Sequence, residues 1–223
     1  LPLACWLRRF LRLLRRWRLV SLIANGKKIG KLMLVRVTEA CGYFKPQWYT
    51  DWVLRVGKRK ANLISKKAQK IGTRIDQIIR SGTYEADKKD TKEVKQSLKN
   101  FNAWRERFNV KSIIPLSRID DQSISLSGEA DFYWEETQTL IDYKSSKRIY
   151  PEYFLQLGGY KRLGFPGQRL AVLRCDKDID DFEFKTNEDF GLSIDQCVDA
   201  FESAFKHERY YTHIKTLIGD DDD

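Results

Sequence analysis

Apolar positions along the chain change their period twice. Between residues 51 and 80, Leu54, Ala61, Ile64, Ala68, Ile71, Ile75, Ile78 and Ile79 recur at threes and fours, the spacing of one helix face. Gly72 is either tolerated inside that helix or marks a break in it. A polar linker, SGTYEADKKD, leads to a second predicted helix over 91–108, with Phe101, Trp104 and Phe108 along one side. Such an aromatic stripe belongs in a core more often than under a stacked base. Upstream, the short apolar stretch MLVRV runs into the aromatic-rich VTEACGYFKPQWYTDWV.

From residue 112 the period drops to two. SIIPLSRI (112–119), SISLS (123–127), EADFYW (129–134) and TLIDYK (139–144) read as successive strands joined by short polar turns. Residues 150–163 return to helix, RLAVLRC (169–175) to strand, DFEFK (181–185) to an amphipathic edge strand, and 193–217 to a final helix. This order predicts a single α/β domain with a central mixed β-sheet flanked by helices.

Composition changes that picture mainly at the amino end. The net charge of +10 is concentrated in residues 1–32, which hold nine Lys or Arg and no acid. Removing those nine from 41 leaves 32 bases against 31 acids, and four of the acids are the terminal Asp220–Asp223. The body is therefore only mildly basic, and its charge alone does not announce a nucleic-acid partner. Leu7, Phe10, Leu11, Leu14 and Trp17 fall at helical spacing among arginines, a pattern suited to an anionic membrane surface or a targeting peptide. The arginines interrupt it too often for stable membrane insertion, and no other apolar run is long enough to span a bilayer. Met33, the single methionine, sits where the composition shifts. Translation is expected to begin there, with 1–32 an extension outside the native protein and 33–223 the domain. GKKIGKL (26–32) departs from a phosphate-binding loop, with three residues between its glycines and Leu where Ser or Thr is required.

Cys5, Cys41, Cys175 and Cys197 are scattered, which argues for free thiols in a reducing, cytoplasmic compartment rather than a disulfide framework or zinc site. His207 and His213, the two histidines, share one late polar helix, so chemistry built on several histidines is excluded.

Candidate chemistry lies in the hairpin 129–144. With EETQ (135–138) as its turn, paired residue numbers sum to 273, and Asp131 faces Asp142. Two carboxylates facing across a ladder repel, unless a hard divalent cation lies between them. Lys144 projects to the same face as Asp142 by the two-residue strand period. A cation, two carboxylates and an ammonium together can hold a phosphodiester and offset charge during in-line attack. A solvent-facing hairpin with ordinary surface charges is the plainer alternative. In the next helix, EYFLQLGGYKRL, Gln156 and Tyr160 share a face, and Gly158 and Gly159 weaken the helix by about 1 kcal/mol each while permitting close backbone approach.

The stretch SGEADFYW…LIDYKSSKRIYPEYFLQLGGYKRL resembles the nuclease core of the PD-(D/E)XK superfamily, in its RecB-like exonuclease branch, which includes phage-encoded and CRISPR-associated nucleases. Gly128 to Asp131, Asp142 with Lys144, and Gln156 with Tyr160 occur in the order of that branch's motifs. A looser likeness runs upstream through IGTRIDQII. The resemblance implies a restriction-endonuclease-like core. It implies a magnesium- or manganese-dependent deoxyribonuclease, with DNA as partner and a helicase or recombination protein as a further partner class. It makes Asp131, Asp142 and the Tyr143 carbonyl metal ligands, has Lys144 orient or deprotonate the attacking water, and has Gln156 and Tyr160 brace the site.

Two positions depart from the pattern. Asp76 stands where relatives carry a ligating His, either as a ligand or as an ordinary helix-surface acid. No Glu stands near Ser117 on the first strand; Glu129, expected on the face of Asp131 by strand alternation, is a candidate substitute. The cysteine spacing implies no iron–sulfur cluster. A catalytically impaired nucleic-acid-binding or scaffold domain that keeps the fold is the alternative.

Overall fold

Thr139–Lys144 and Arg169–Cys175 lie side by side as parallel strands, in register from Thr139↔Arg169 to Lys144↔Arg174. Both are buried along most of their length. Near-continuous apolar runs suit that position, because a strand covered by helices on both faces has no wet side. The computed structural model describes residues 34–42 and 47–218. The arginine-rich leader, Met33 and the acidic tail lie outside them.

In chain order the elements are β1 (Val35–Arg36), α1 (Val37–Gly42), α2 (Gln47–Val56), α3 (Lys58–Arg80), α4 (Lys92–Arg107), β2 (Ile114–Pro115), β3 (Ile119–Asp121) and β4 (Leu126–Gly128). There follow β5 (Phe132–Trp134), β6 (Thr139–Lys144), α5 (Pro151–Arg162), β7 (Arg169–Cys175), β8 (Phe182–Thr186) and α6 (Ile194–Ile218). Five strands form a mixed sheet in the order β2-β5-β6-β7-β8, parallel only at β6 and β7. The fold is thus α/β, with mixed sheet and flanking helices. The 181–185 strand is at the edge, as its amphipathic pattern predicts.

The two-residue alternation sorts the core into two layers. Leu140, Leu170 and Val172 pack on one face with Val37 of α1, Leu157 of α5 and Phe201 of α6. Ile141, Ala171 and Leu173 pack on the other with Ile75 of α3 and Leu98, Phe101 and Trp104 of α4. The aromatic stripe of α4 is therefore core up to Trp104, while Phe108 sits at the rim against Phe184, ring centroids 5.3 Å apart. Cys41, Cys175 and Cys197 are free and buried. No helix among the described residues is long and apolar enough to cross a membrane.

Two expectations need correction. The helical stretch 51–80 is two helices, broken at Gly57 rather than Gly72. Gly57 takes φ +83°, a left-handed conformation that only glycine adopts without strain, whereas Gly72 is ordinary helix. Leu54 and Ile64 consequently point to solvent, and the α3 stripe is continuously buried only from Ile71 onward. The strands of 112–128 do not continue the hairpin meander either. Only Ile114 and Pro115 pair with β5. After them the chain leaves, and β3 and β4 join β1 in a separate three-stranded sheet, ordered β1-β4-β3. Pro115 has no N–H to extend a ladder. The region 34–42, to which the sequence pattern assigns no element, holds the two residues of β1 and the short helix α1.

The paired glycines of α5 have a packing role. A Cβ at Gly158 would overlap the Cys197 carbonyl of α6, and one at Gly159 would meet Val37 and Phe201 at 2.6 and 2.7 Å. Gly128 of β4 is equally confined, with Leu163 at 2.8 Å and the Tyr160 ring at 3.2 Å. Gly158→Ala is expected to cost about 1–3 kcal/mol, because the obstacle is backbone that cannot swing aside. Gly72→Ala, with open space around it, is expected to gain up to about 1 kcal/mol from helix propensity. Chemical denaturation of the two variants measures both signs.

Candidate active site

Asp142 is the fourth residue of β6 and projects into the layer that contains α5. Its carboxylate has no solvent exposure. Gln156 Nε2 donates to Oδ1 at 3.2 Å and to the Tyr160 hydroxyl at 2.6 Å, and Gln156 Oε1 accepts from Lys144 Nζ at 3.2 Å. Those three contacts use the amide in one consistent orientation. Gln156 and Tyr160 stand one turn apart on the face of α5 toward β6, while Gly158 and Gly159 face α6 and α1. Lys144 Nζ lies 2.6 Å from Asp142 Oδ2 as an ion pair. Oδ2 is buried and meets no polar partner other than this ammonium.

The hairpin register is the expected one, Phe132↔Ile141 through Trp134↔Thr139. Asp131 stands one step before β5, and its Oδ2 accepts from the Tyr143 N–H at 2.6 Å. It is half-buried and lines a cleft of about 460 Å³ together with Thr38, Gln69, Asp76, Lys144 and Ser145. Tyr143 sends its ring to the opposite layer, where its hydroxyl is 2.6 Å from Ser97 Oγ. Only its backbone sits at the site.

Electrostatics follow from this burial. Desolvation and the Asp142 charge push the Asp131 carboxyl up to about 7, against the pull of Lys144. Burial likewise raises Asp142, although Lys144 opposes it. Burial alone would lower Lys144, but Asp142 and Asp131 outweigh it and hold the ammonium above its ordinary value. Cys41, the nearest thiol, is pushed up to about 12 by burial and by Asp142, which leaves it protonated and inert. Two carboxylates that resist ionising together are the mark of a site short of positive charge.

The remaining two acids are held by Arg80, a residue the motifs did not flag. Arg80 Nε is 2.9 Å from both Asp76 oxygens, and Nη2 is 3.3 Å from Glu129 Oε1. Nη1 and Nη2 also donate to the carbonyls of Leu116 and Ala130, at 2.7 and 3.2 Å. Those are backbone groups where the chain passes from one sheet to the other. Asp76 faces the same cleft as Asp131, with its carboxylate tied to this guanidinium. Glu129 is half-exposed and is absent from the cleft wall. Strand alternation fails for it because β5 begins only at Phe132, so residues 129–131 are not pleated. The spacing of Asp76 and Arg80, one helical turn apart, was the available signal for Arg80.

Among the described residues no three His, Cys, Asp or Glu side chains are grouped to hold a metal ion. The donor chemistry that is present fits magnesium nonetheless. That ion is commonly held by one or two carboxylates and keeps several waters, and Asp142 Oδ2 is buried with the Lys144 ammonium as its one partner.

No protein-family model and no curated protein matches the sequence. Solved structures with a related chain path include one described as "Crystal structure of SSO0001". It is 12% identical with a TM-score of 0.37, over 90% of this chain and 86% of that one. A likeness so slight carries no argument about activity.

The raised Asp131 has a consequence for stability. The unfolded carboxyl ionises near pH 4, whereas the folded one keeps its proton to about pH 7. Folding is therefore favoured by this group at low pH, and its contribution is lost as pH rises through that window. Without divalent metal, the melting temperature should fall by several degrees between pH 5 and pH 8. Asp131→Asn should flatten that dependence, and magnesium added at pH 8 should restore part of the loss. Arg80→Lys should cost about 2 kcal/mol in denaturant unfolding, since one ammonium cannot serve two carboxylates and two carbonyls.

Proposed function

We propose that the chain is a metal-dependent nuclease that hydrolyses DNA phosphodiester bonds, built on a restriction-endonuclease-like core of the RecB-like type. The observation that carries this reading is Asp142. A wholly buried carboxylate, one oxygen of which meets only the Lys144 ammonium, stands beside a second raised carboxylate next to an open cleft. Such an arrangement is costly in a purely structural protein, and a divalent cation offsets the cost.

Asp131 and Asp142, with the Tyr143 carbonyl, would hold a magnesium or manganese ion, which supplies Lewis-acid stabilisation of charge on a phosphoryl oxygen. The chain's own groups do the rest. Lys144 is cationic while both carboxylates are charged, so it orients a water and neutralises developing negative charge, in preference to removing a proton. Gln156 fixes the direction of Lys144 through Oε1 and of Asp142 through Nε2. Tyr160, buried and bonded to the same amide, locks the Gln156 rotamer. Positioning of this kind is a large share of phosphoryl-transfer catalysis.

A second reading, a nucleic-acid-binding domain with an impaired centre, is favoured by one observation. Arg80 occupies both Asp76 and Glu129, the acids available to enlarge a metal shell.

The full chain incubated with labelled linear and circular DNA in magnesium, manganese or EDTA decides between them. Metal-dependent cleavage that falls by about 100-fold or more in Asp142→Asn and in Lys144→Ala is expected for a centre working by charge stabilisation. DNA binding without cleavage in either metal would establish the impaired domain instead. Linear-only degradation identifies an exonuclease.

A further inference from the structure

The cations of α3 differ in what they face. From Trp52 to Ile75 the sequence carries eight Lys or Arg and no acid. Lys67 pairs with Glu93 of α4 and Arg74 with Asp90 just before it, each at 2.7 Å. These two are spent on fastening the helix to its neighbour. Lys58, Arg59, Lys66 and Lys70 are exposed and take part in no ion pair or hydrogen bond among the described residues.

Helical geometry places Lys58 on the cleft side of α3 with Arg59 and Lys66 beside it, whereas Lys70 and the likewise exposed Lys60 stand farther round. Gln69, Thr73 and Asp76 line it. Counting back from Gln69 by four, three and four gives Ser65, Asn62 and Lys58, on the same face. Lys66 and Arg59 flank that row. The stripe from Lys58 to Asp76 spans about 27 Å at ~1.5 Å per residue, and carries no large apolar side chain. Ile64 falls on the opposite side of the helix, and Leu63, beside Arg59 and Lys66, is the single large apolar side chain near the stripe. That arrangement does not suit a membrane surface, which needs an apolar face among the cations. Neutral Asn, Ser, Gln and Thr between unpaired Lys are the groups that hold phosphate oxygens. The row is one helix wide, which matches one backbone and not the two of a duplex.

We propose that this face of α3 is a track for the sugar–phosphate backbone of a single polynucleotide strand, leading it into the cleft beside Asp131 and Lys144. The proposal rests on the nuclease reading for the direction of travel. The track itself is a binding surface that a catalytically dead protein would share. Positive charge guides the strand along α3 to the carboxylates, where Lys144 is the next cation it meets.

The test is binding of labelled oligo-dT, its RNA counterpart and a duplex to the full chain, in EDTA, by fluorescence anisotropy over a range of sodium chloride. The variant Lys58→Gln/Arg59→Gln/Lys66→Gln removes three unpaired cations, and Lys88→Gln/Lys89→Gln is the control for lost charge away from the stripe. The slope of log affinity against log salt should shrink by about 2 in the triple variant, at about 0.7 per single-strand contact, and stay unchanged in the control. Equal loss for DNA and RNA is expected of a backbone track. An unchanged slope in the triple variant, an equal drop in the control, or a wild-type preference for duplex would overturn the proposal. Manganese-dependent hydrolysis of bis(4-nitrophenyl) phosphate, too small to reach α3, is measured in parallel. If it is retained in the triple variant while the slope shrinks, both readings stand. If the wild type lacks it yet the slope still shrinks, the nuclease reading falls and the track survives.

Discussion

A carboxylate removed entirely from water costs several kcal/mol unless its surroundings repay it, and Asp142 stands in that position in the middle of a two-sided sheet. Much of the nearby architecture answers this constraint. β6 is flanked by β5 and β7, so Asp142 has no edge to escape toward. Lys144, from β6 itself, and Gln156, from α5, supply the polar contacts, and Gln156 would not reach the strand if α5 stood farther off. On the far side of α5, Gly158 and Gly159 let it lie against α6 and α1 without a side chain between them.

Arg80 forms the second joint. The polypeptide leaves the five-stranded sheet near Leu116 and re-enters it near Ala130, and both carbonyls there would lack ladder partners. One guanidinium meets them and two nearby acids with its fixed fork. Because Asp76 lies on the cleft wall, this joint also sets how much negative charge faces Asp131. Stability and electrostatics are coupled at this one residue, through α3.

Much of the architecture was legible in the chain. The change from a helical to a strand period at residue 112 marks the start of the sheet, and the runs 139–144 and 169–175 match their strands residue for residue. The hairpin register followed from the turn length, since a tight turn leaves only one pairing that keeps Leu140 and Ile141 on opposite buried faces. The helices over 91–108, 150–163 and 193–217 agree to within a residue or two. Misreadings came where local pattern underdetermines structure. Leu54 and Ile64 fit a helical stripe but meet no second element, because amphipathic spacing does not say where the partner ends. Pro115 and Gly57 were visible, but whether a chain turns away at such a residue depends on what is nearby to receive it.

Of the site, sequence alone determined the hairpin register that brings Asp131 near Asp142, the shared face of Asp142 and Lys144, and the turn linking Gln156 to Tyr160. Each follows from a fixed backbone period acting within one hairpin or one helix. Tertiary structure alone decided that Asp142 is wholly buried, that Arg80 claims Asp76 and Glu129, and which cations of α3 are paired. Those outcomes depend on distances between elements far apart in the chain, such as α3 to β5 and α5 to α6. Such distances are set by how side-chain volumes fill the space between layers, and no local period encodes that sum.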